Sequence, residues 1–190
     1  TRGLLPGGQS LETVVSAPTL ALIRDRVDAL ALPFEPLKRV KPWALALTLL
    51  AMEWKKAGFD AELGLDKHFY DRARAAGRPV QGLETVAFQV SRFDEMSMAD
   101  QDRMLVQSLK GLDTETAEVT TLANAWKGGD TATLERIVLR DLMDDAALYR
   151  RLIVERNETW LPQIEALFAR PKPTLVVVGA AHLVGPDGLL

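Results

Sequence analysis

Two side chains in this sequence stand where α/β proteins deliver reactive groups. Glu84 directly follows the apolar-leaning run Val80–Leu83, and His182 directly follows Val176–Ala181. A carboxylate and an imidazole are the usual partners in acid–base chemistry, and both bind divalent metal ions. Each preceding run reads as a strand, and ligands of α/β sheets collect in the crevice beyond the carboxyl ends of strands, so the two groups are expected to converge. Gly179 and Gly185 flank His182 and let the backbone turn sharply there. Each residue also has a plainer reading: His182 as a hydrogen-bonded structural histidine, Glu84 as a carboxylate favoured by the dipole of the helix that follows it.

Other polar residues gather around these two. Gln89 is one helical turn beyond Glu84, where it either orients that carboxylate or faces solvent. Arg156 and Asn157 fall within a long helical pattern, where a solvated face or a salt bridge competes with a role in binding. His68, in Asp66-Lys-His-Phe69, reads as an exposed structural residue and is not counted as a ligand. Trp43, Trp54, Trp126 and Trp160 sit at helical spacings that suit core packing better than a stacking platform. Asn157-Glu-Thr159 fits the N-glycosylation pattern by chance, being inside a helix. No Gly-x-Ser-x-Gly, P-loop or Gly-x-Gly-x-x-Gly motif occurs.

Composition narrows the classes further. The chain has 190 residues, 47% of them hydrophobic and 26% charged, with no cysteine and two histidines. That suits one globular domain, residues 1–190, with enough chain for a sizeable core. With no cysteine there are no disulfides, thiolate metal sites or cysteine nucleophiles. Lys plus Arg number 23 against 26 Asp plus Glu, without a basic cluster, so no nucleic acid is expected as a partner. The longest uncharged apolar stretch, Pro42–Met52, falls short of the ~20 residues of a membrane helix, so no transmembrane segment is expected.

The elements that would position the polar residues follow from caps and breakers. Residues 1–9 read as an arm. Ser16 caps a helix with Pro18 in its first turn and Leu20, Ile23, Val27 and Leu30 on one face. Pro42 starts a second helix, apolar nearly all round, which Gly58 stops near Lys56. Asp66 caps a short helix ended by Gly77. Arg78–Glu84 is a bulged or edge strand, and a helix runs from about Thr85 to Phe93. Ser97–Asp100 opens a helix to about Lys110, and another spans about Thr114 to Lys127. Asp130 caps one to about Arg140, and the longest runs from about Asp145 to Ala169, kinked at Pro162. Thr174–Val178, β-branched throughout its last three residues, reads as a strand buried on both faces.

The fold class expected is therefore α/β and helix-rich, a small sheet fragment covered by a helical part over residues 97–170. Two strands make a marginal sheet, so Thr174–Val178 is expected to find partners in absent sequence, in a swapped arm or across the strand edge of a homodimer. Both ends of the chain read as cuts.

Four segments, in order, resemble the TraB/GumN family: Gly64-Leu-Asp66; Gly77–Thr85 with Gln89; Glu155-Arg-Asn157 with Trp160; and Val178-Gly-Ala-Ala-His-Leu-Val-Gly-Pro-Asp-Gly188. The resemblance covers about residues 40–190, and the last segment is its most specific part. That family is similar to the Tiki metalloproteases. The resemblance implies a metal-dependent hydrolase built around two Gly-x-x-His elements and a glutamate, acting on a peptide or a small molecule, with an envelope or periplasmic location. It gives His182 as the second of those histidines and a metal ligand, and Glu84 as a ligand or general base. Arg156 is implied as an anchor for negative charge, with Gln89, Asn157 and Gly179 as supporting or substrate-binding residues. The first Gly-x-x-His has no counterpart here. A catalytic zinc-type site uses about three protein ligands, so the divalent-metal site is expected to be incomplete and this chain inactive by itself. A noncatalytic interaction or inhibitory module with the same fold is the alternative.

Overall fold

The computed structural model describes residues 2–190, side chains included except at positions 112–117 and 141. Seven helices of eight residues or more run through it: α1 (Ala17–Ala29), α2 (Pro42–Lys56), α3 (Leu65–Ala75), α4 (Val86–Asp94), α5 (Met98–Gly128), α6 (Thr131–Val138) and α7 (Glu155–Glu165). They belong to two compact units, Thr1–Phe59 with Val86–Ala117, and Asp60–Thr85 with Glu118–Leu190.

In the first unit the capping signals act locally as their chemistry dictates. The Ser16 hydroxyl accepts the Thr19 N–H at 3.2 Å, Pro18 occupies the first turn of α1, and Ile23 and Val27, four apart, are fully buried. Helix α2 starts at its proline and buries Trp43, Leu45, Ala46 and Leu49. The residues before Ser10 are pinned down: Leu5 N–H donates to the Arg39 carbonyl at 2.8 Å, and Lys41 N–H to that of Gly3 at 2.9 Å. Helix α4 lays Phe93 against Trp43, ring centroids 5.7 Å apart. Asp94 accepts both the Trp43 indole N–H and the Lys41 ammonium.

The second unit has its own core of Ala125, Leu134, Leu139, Tyr149, Ile153 and Val184. Asp130 caps α6 by accepting the Thr133 N–H at 3.0 Å. Ala146–Tyr149 forms one helical turn, Arg150–Val154 a π-helical turn, and α7 follows directly.

Several expectations are corrected. The α/β class is overturned: among the described residues there is no β-strand and no sheet, only an isolated antiparallel bridge between Leu4 and Val40. Thr174–Val178 is irregular and forms no ladder, and Leu175 and Val177 are exposed. A strand is defined by its partner's amides, and intrinsic β-preference supplies none. The same holds for Arg78–Glu84, which is irregular. With no strand, the pairing of a homodimer through a strand edge loses its structural basis. The longest helix is α5, not the one ending near Ala169; it runs through Gly111, because an interior glycine costs only about 1 kcal/mol of helix propensity. Gly64, not Asp66, caps α3. Trp43 and Trp160 are buried, whereas Trp54 and Trp126 are exposed. Among the described residues no helix is long and apolar enough to cross a membrane.

Candidate functional site

The candidate site lies wholly within the second unit, on one face of α7. Arg156, Asn157, Trp160 and Gln163 recur at intervals of one, three and three residues, the spacing that stacks side chains along a single helical face. Two irregular segments are tied to that face, residues 83–84 and residues 179–189.

The first tie is ionic. Arg156 grips Glu84 with both arms, Nη2 to Oε1 at 2.8 Å and Nε to Oε2 at 3.1 Å, while Nη1 donates to the Leu152 carbonyl at 3.1 Å. Both side chains are only 12% exposed. A bidentate, charge-assisted pair of this kind fixes orientation as well as position. The guanidinium also lies 4.7 Å from the centroid of Trp160. Gln163 reinforces the tie by donating to the Leu83 carbonyl at 3.1 Å.

The second tie is a polar clasp on the segment that carries His182. This residue ends a short 3-10 turn, Ala180–His182, and is buried. Its Nδ1 lies 2.8 Å from Asn157 Oδ1. Asn157 Nδ2 donates to the carbonyls of Asp187 at 2.7 Å and of His182 at 3.3 Å. Tyr149, on the turn that precedes the π-helical one, donates its hydroxyl to Asp187 Oδ2 at 3.0 Å. Burial, and secondarily Asp187, pushes the Tyr149 phenol up to about 12. The imidazole packs on Trp160, centroids 4.5 Å apart at 49°. Burial, with the Arg156 charge second, pushes the His182 pKa down to about 4, so the ring is neutral near pH 7.

Glu84 and His182 are thus joined through shared neighbours: Arg156 holds the carboxylate and covers Trp160, and Trp160 packs on the imidazole. No hydrogen bond between the two is described. Arg156 and Asn157 belong to the same cluster. Gln89 falls in the first unit, on α4, with an exposed side chain. Gly179 accepts the His182 N–H at 2.9 Å, but its φ is negative, so the backbone there admits any residue. Gly185 is different: its φ is +85°, and a Cβ would lie 2.5 Å from Leu139 Cδ1. His68 is exposed on α3, edge-on to Phe69.

Sequence reasoning gave no role to Tyr149, Gln163 and Asp187, and read Trp160 as core and as part of the segment that carries the family resemblance. The signal was available in part, since Tyr149, Asn157 and Trp160 repeat at helical spacing. Asp187 lies in the Val178–Gly188 segment that carries the resemblance, but nothing in the sequence marked its side chain or its carbonyl as partners.

The donors for a metal are few. Among the described residues no three His, Cys, Asp or Glu side chains converge. His182 and Glu84 are two donors, one of them already chelated by Arg156, against the roughly three protein ligands of a catalytic zinc-type centre.

The sequence pattern of the TraB/PrgY/gumN family matches residues 1–190. The chain is 24% identical over 186 residues to the uncharacterized protein YbaP of Escherichia coli (strain K12), covering 97% of this chain and 68% of YbaP. The protein of the same name from Shigella flexneri matches over the same shares. No solved structure matches.

Proposed function

The chain belongs to the TraB/PrgY/gumN family, and from that premise we propose that the cluster of Glu84, Arg156, Asn157 and His182 is part of a hydrolytic site acting on peptide-like substrates, of the metal-dependent type, in the cell envelope. The observation that carries the reading is the state of His182: a buried imidazole held neutral, one ring nitrogen on Asn157, the other bonded by nothing among the described residues. A neutral imidazole with one open nitrogen is what a general base or a ligand requires.

The roles divide as follows. His182 accepts a proton or binds an electrophile through the open nitrogen. Arg156 uses three of its five N–H groups on Glu84 and Leu152, leaving two to meet negative charge that develops on a substrate. Arg156 takes one lone pair on each oxygen of Glu84, so Glu84 acts as base or ligand through the remaining ones. The described donors do not fit a complete metal centre. The metal-dependent character is what the family resemblance supports.

The test is hydrolysis of a fluorogenic peptide mixture, with Zn²⁺ or Mn²⁺ added, by the protein extended to carry the family's first Gly-x-x-His element. His182→Ala is expected to lower the rate about 10²-fold or more, as removal of a positioned acid–base group does, and Glu84→Gln to lower it as well. Equal rates in all three proteins overturn the assignment. A second reading is favoured by the full engagement of Glu84 by Arg156: a noncatalytic module in which the cluster is a structural clasp. It predicts no turnover and a loss of stability alone in the same variants.

A further inference from the structure

We propose that Asn157 is a positioning residue that fixes the tautomer of His182, keeping the ring proton on Nδ1 and presenting Nε2 as a bare lone pair. The inference rests on the reading of His182 as a functional imidazole and says which of its nitrogens does the work.

A primary amide has one acceptor oxygen and one donor nitrogen, and exchanging them is decided by the neighbours. Asn157 Nδ2 faces two backbone carbonyls, those of His182 and Asp187, which can only accept. Exchanging the amide would set its oxygen against both. Oδ1 must therefore face His182, and at 2.8 Å from Nδ1 it can only accept. A neutral imidazole carries one N–H, so Nδ1 holds it and Nε2 holds none.

The rest of the clasp makes that orientation rigid. Asn157 grips the histidine twice: the bond to Nδ1 opposes turning of the ring, and the bond to the carbonyl holds the backbone that carries it. The other carbonyl on the amide is steadied by Tyr149, which holds the Asp187 carboxylate. The His182 carbonyl is further fixed by the Leu189 N–H at 2.9 Å, and its N–H by Gly179. Trp160 covers the ring. Asn157 is itself buried, so water does not compete for its oxygen.

The experiment is ¹⁵N NMR of histidine-labelled protein near neutral pH, with the two histidine signals separated by His68→Gln. Wild type is expected to show His182 with Nδ1 protonated and Nε2 bare. Asn157→Leu removes the acceptor and is expected to shift the tautomer ratio about tenfold toward Nε2–H, the factor that one net hydrogen bond is worth. A wild-type spectrum with Nε2 protonated overturns the proposal at once, and needs no variant to fold. An unchanged ratio in Asn157→Leu also overturns it. The spectra do not depend on turnover: normal hydrolysis by His182→Ala sinks the functional reading and leaves the tautomer standing, whereas the wrong tautomer in an enzyme that still needs His182 sinks only the role of Asn157.

Discussion

Each of the two units buries an ion pair beside a tryptophan, and they finish the arrangement differently. In the first, Asp94 accepts from Lys41 and also from the Trp43 indole, so the indole N–H has a partner. In the second, Arg156 chelates Glu84 and covers Trp160, yet among the described residues the buried Trp160 indole N–H meets no acceptor and the outer nitrogen of His182 no donor. Closed polar valences are what a packing device needs. Open ones beside a charged pair cost stability, and folds keep such groups where something else is to be bound.

That contrast is sharpened most by cutting the acids. Glu84→Ala strands a guanidinium pinned between the Leu152 carbonyl and the Trp160 ring. It is expected to cost about 3 kcal/mol or more in urea unfolding, the usual result of removing one partner of a buried pair. Asp94→Ala strands Lys41, whose flexible stem can carry its ammonium to water, and should cost about 1–2 kcal/mol. The reverse order would mean that the first pair, not the second, is the constrained one.

Acid should separate the units next. Both histidines belong to the second. Unfolded His182 takes up its proton near pH 6.5, folded His182 only near pH 4, so the unfolded chain binds more protons between them. The stabilisation is fully present above pH 6.5 and is lost as pH falls toward 4. Hydrogen exchange should show residues 179–189 opening before α1 and α2 as the solution is acidified. His182→Gln, which keeps an N–H for Asn157, should flatten that dependence; an unchanged slope would assign it elsewhere.

The smallest effect compares the indoles directly. Trp43→Phe loses a hydrogen bond as well as packing, Trp160→Phe packing alone, so the first should be about 1 kcal/mol more destabilising in thermal unfolding. Equal losses would mean that the Trp160 N–H is satisfied after all.

The helices were legible because their signals are local. Ser16, Pro42, Ser97 and Asp130 mark starts through groups within three residues, and Gly58 and Gly129 mark ends through positive φ. The sheet was misread because strand identity is not local: Val176–Val178 has the composition of a buried strand, but composition does not supply the neighbouring ladder. The site was legible as residues and not as bonds. Glu84, Arg156, Asn157 and His182 stood out by type, while the partnership of Glu84 with Arg156, 72 positions apart, depends on a fold that the periodicity does not encode.

The π-helical turn at Arg150–Val154 sets the phase of everything after it. Tyr149 precedes it and Asn157 follows it, and both reach Asp187. Each residue of a helix advances the face by about 100°. Deleting one residue between them would swing the guanidinium, the amide and the indole together away from the tyrosine's side. The segment acts as an angular gauge whose length can neither grow nor shrink by one, however freely its individual side chains are exchanged.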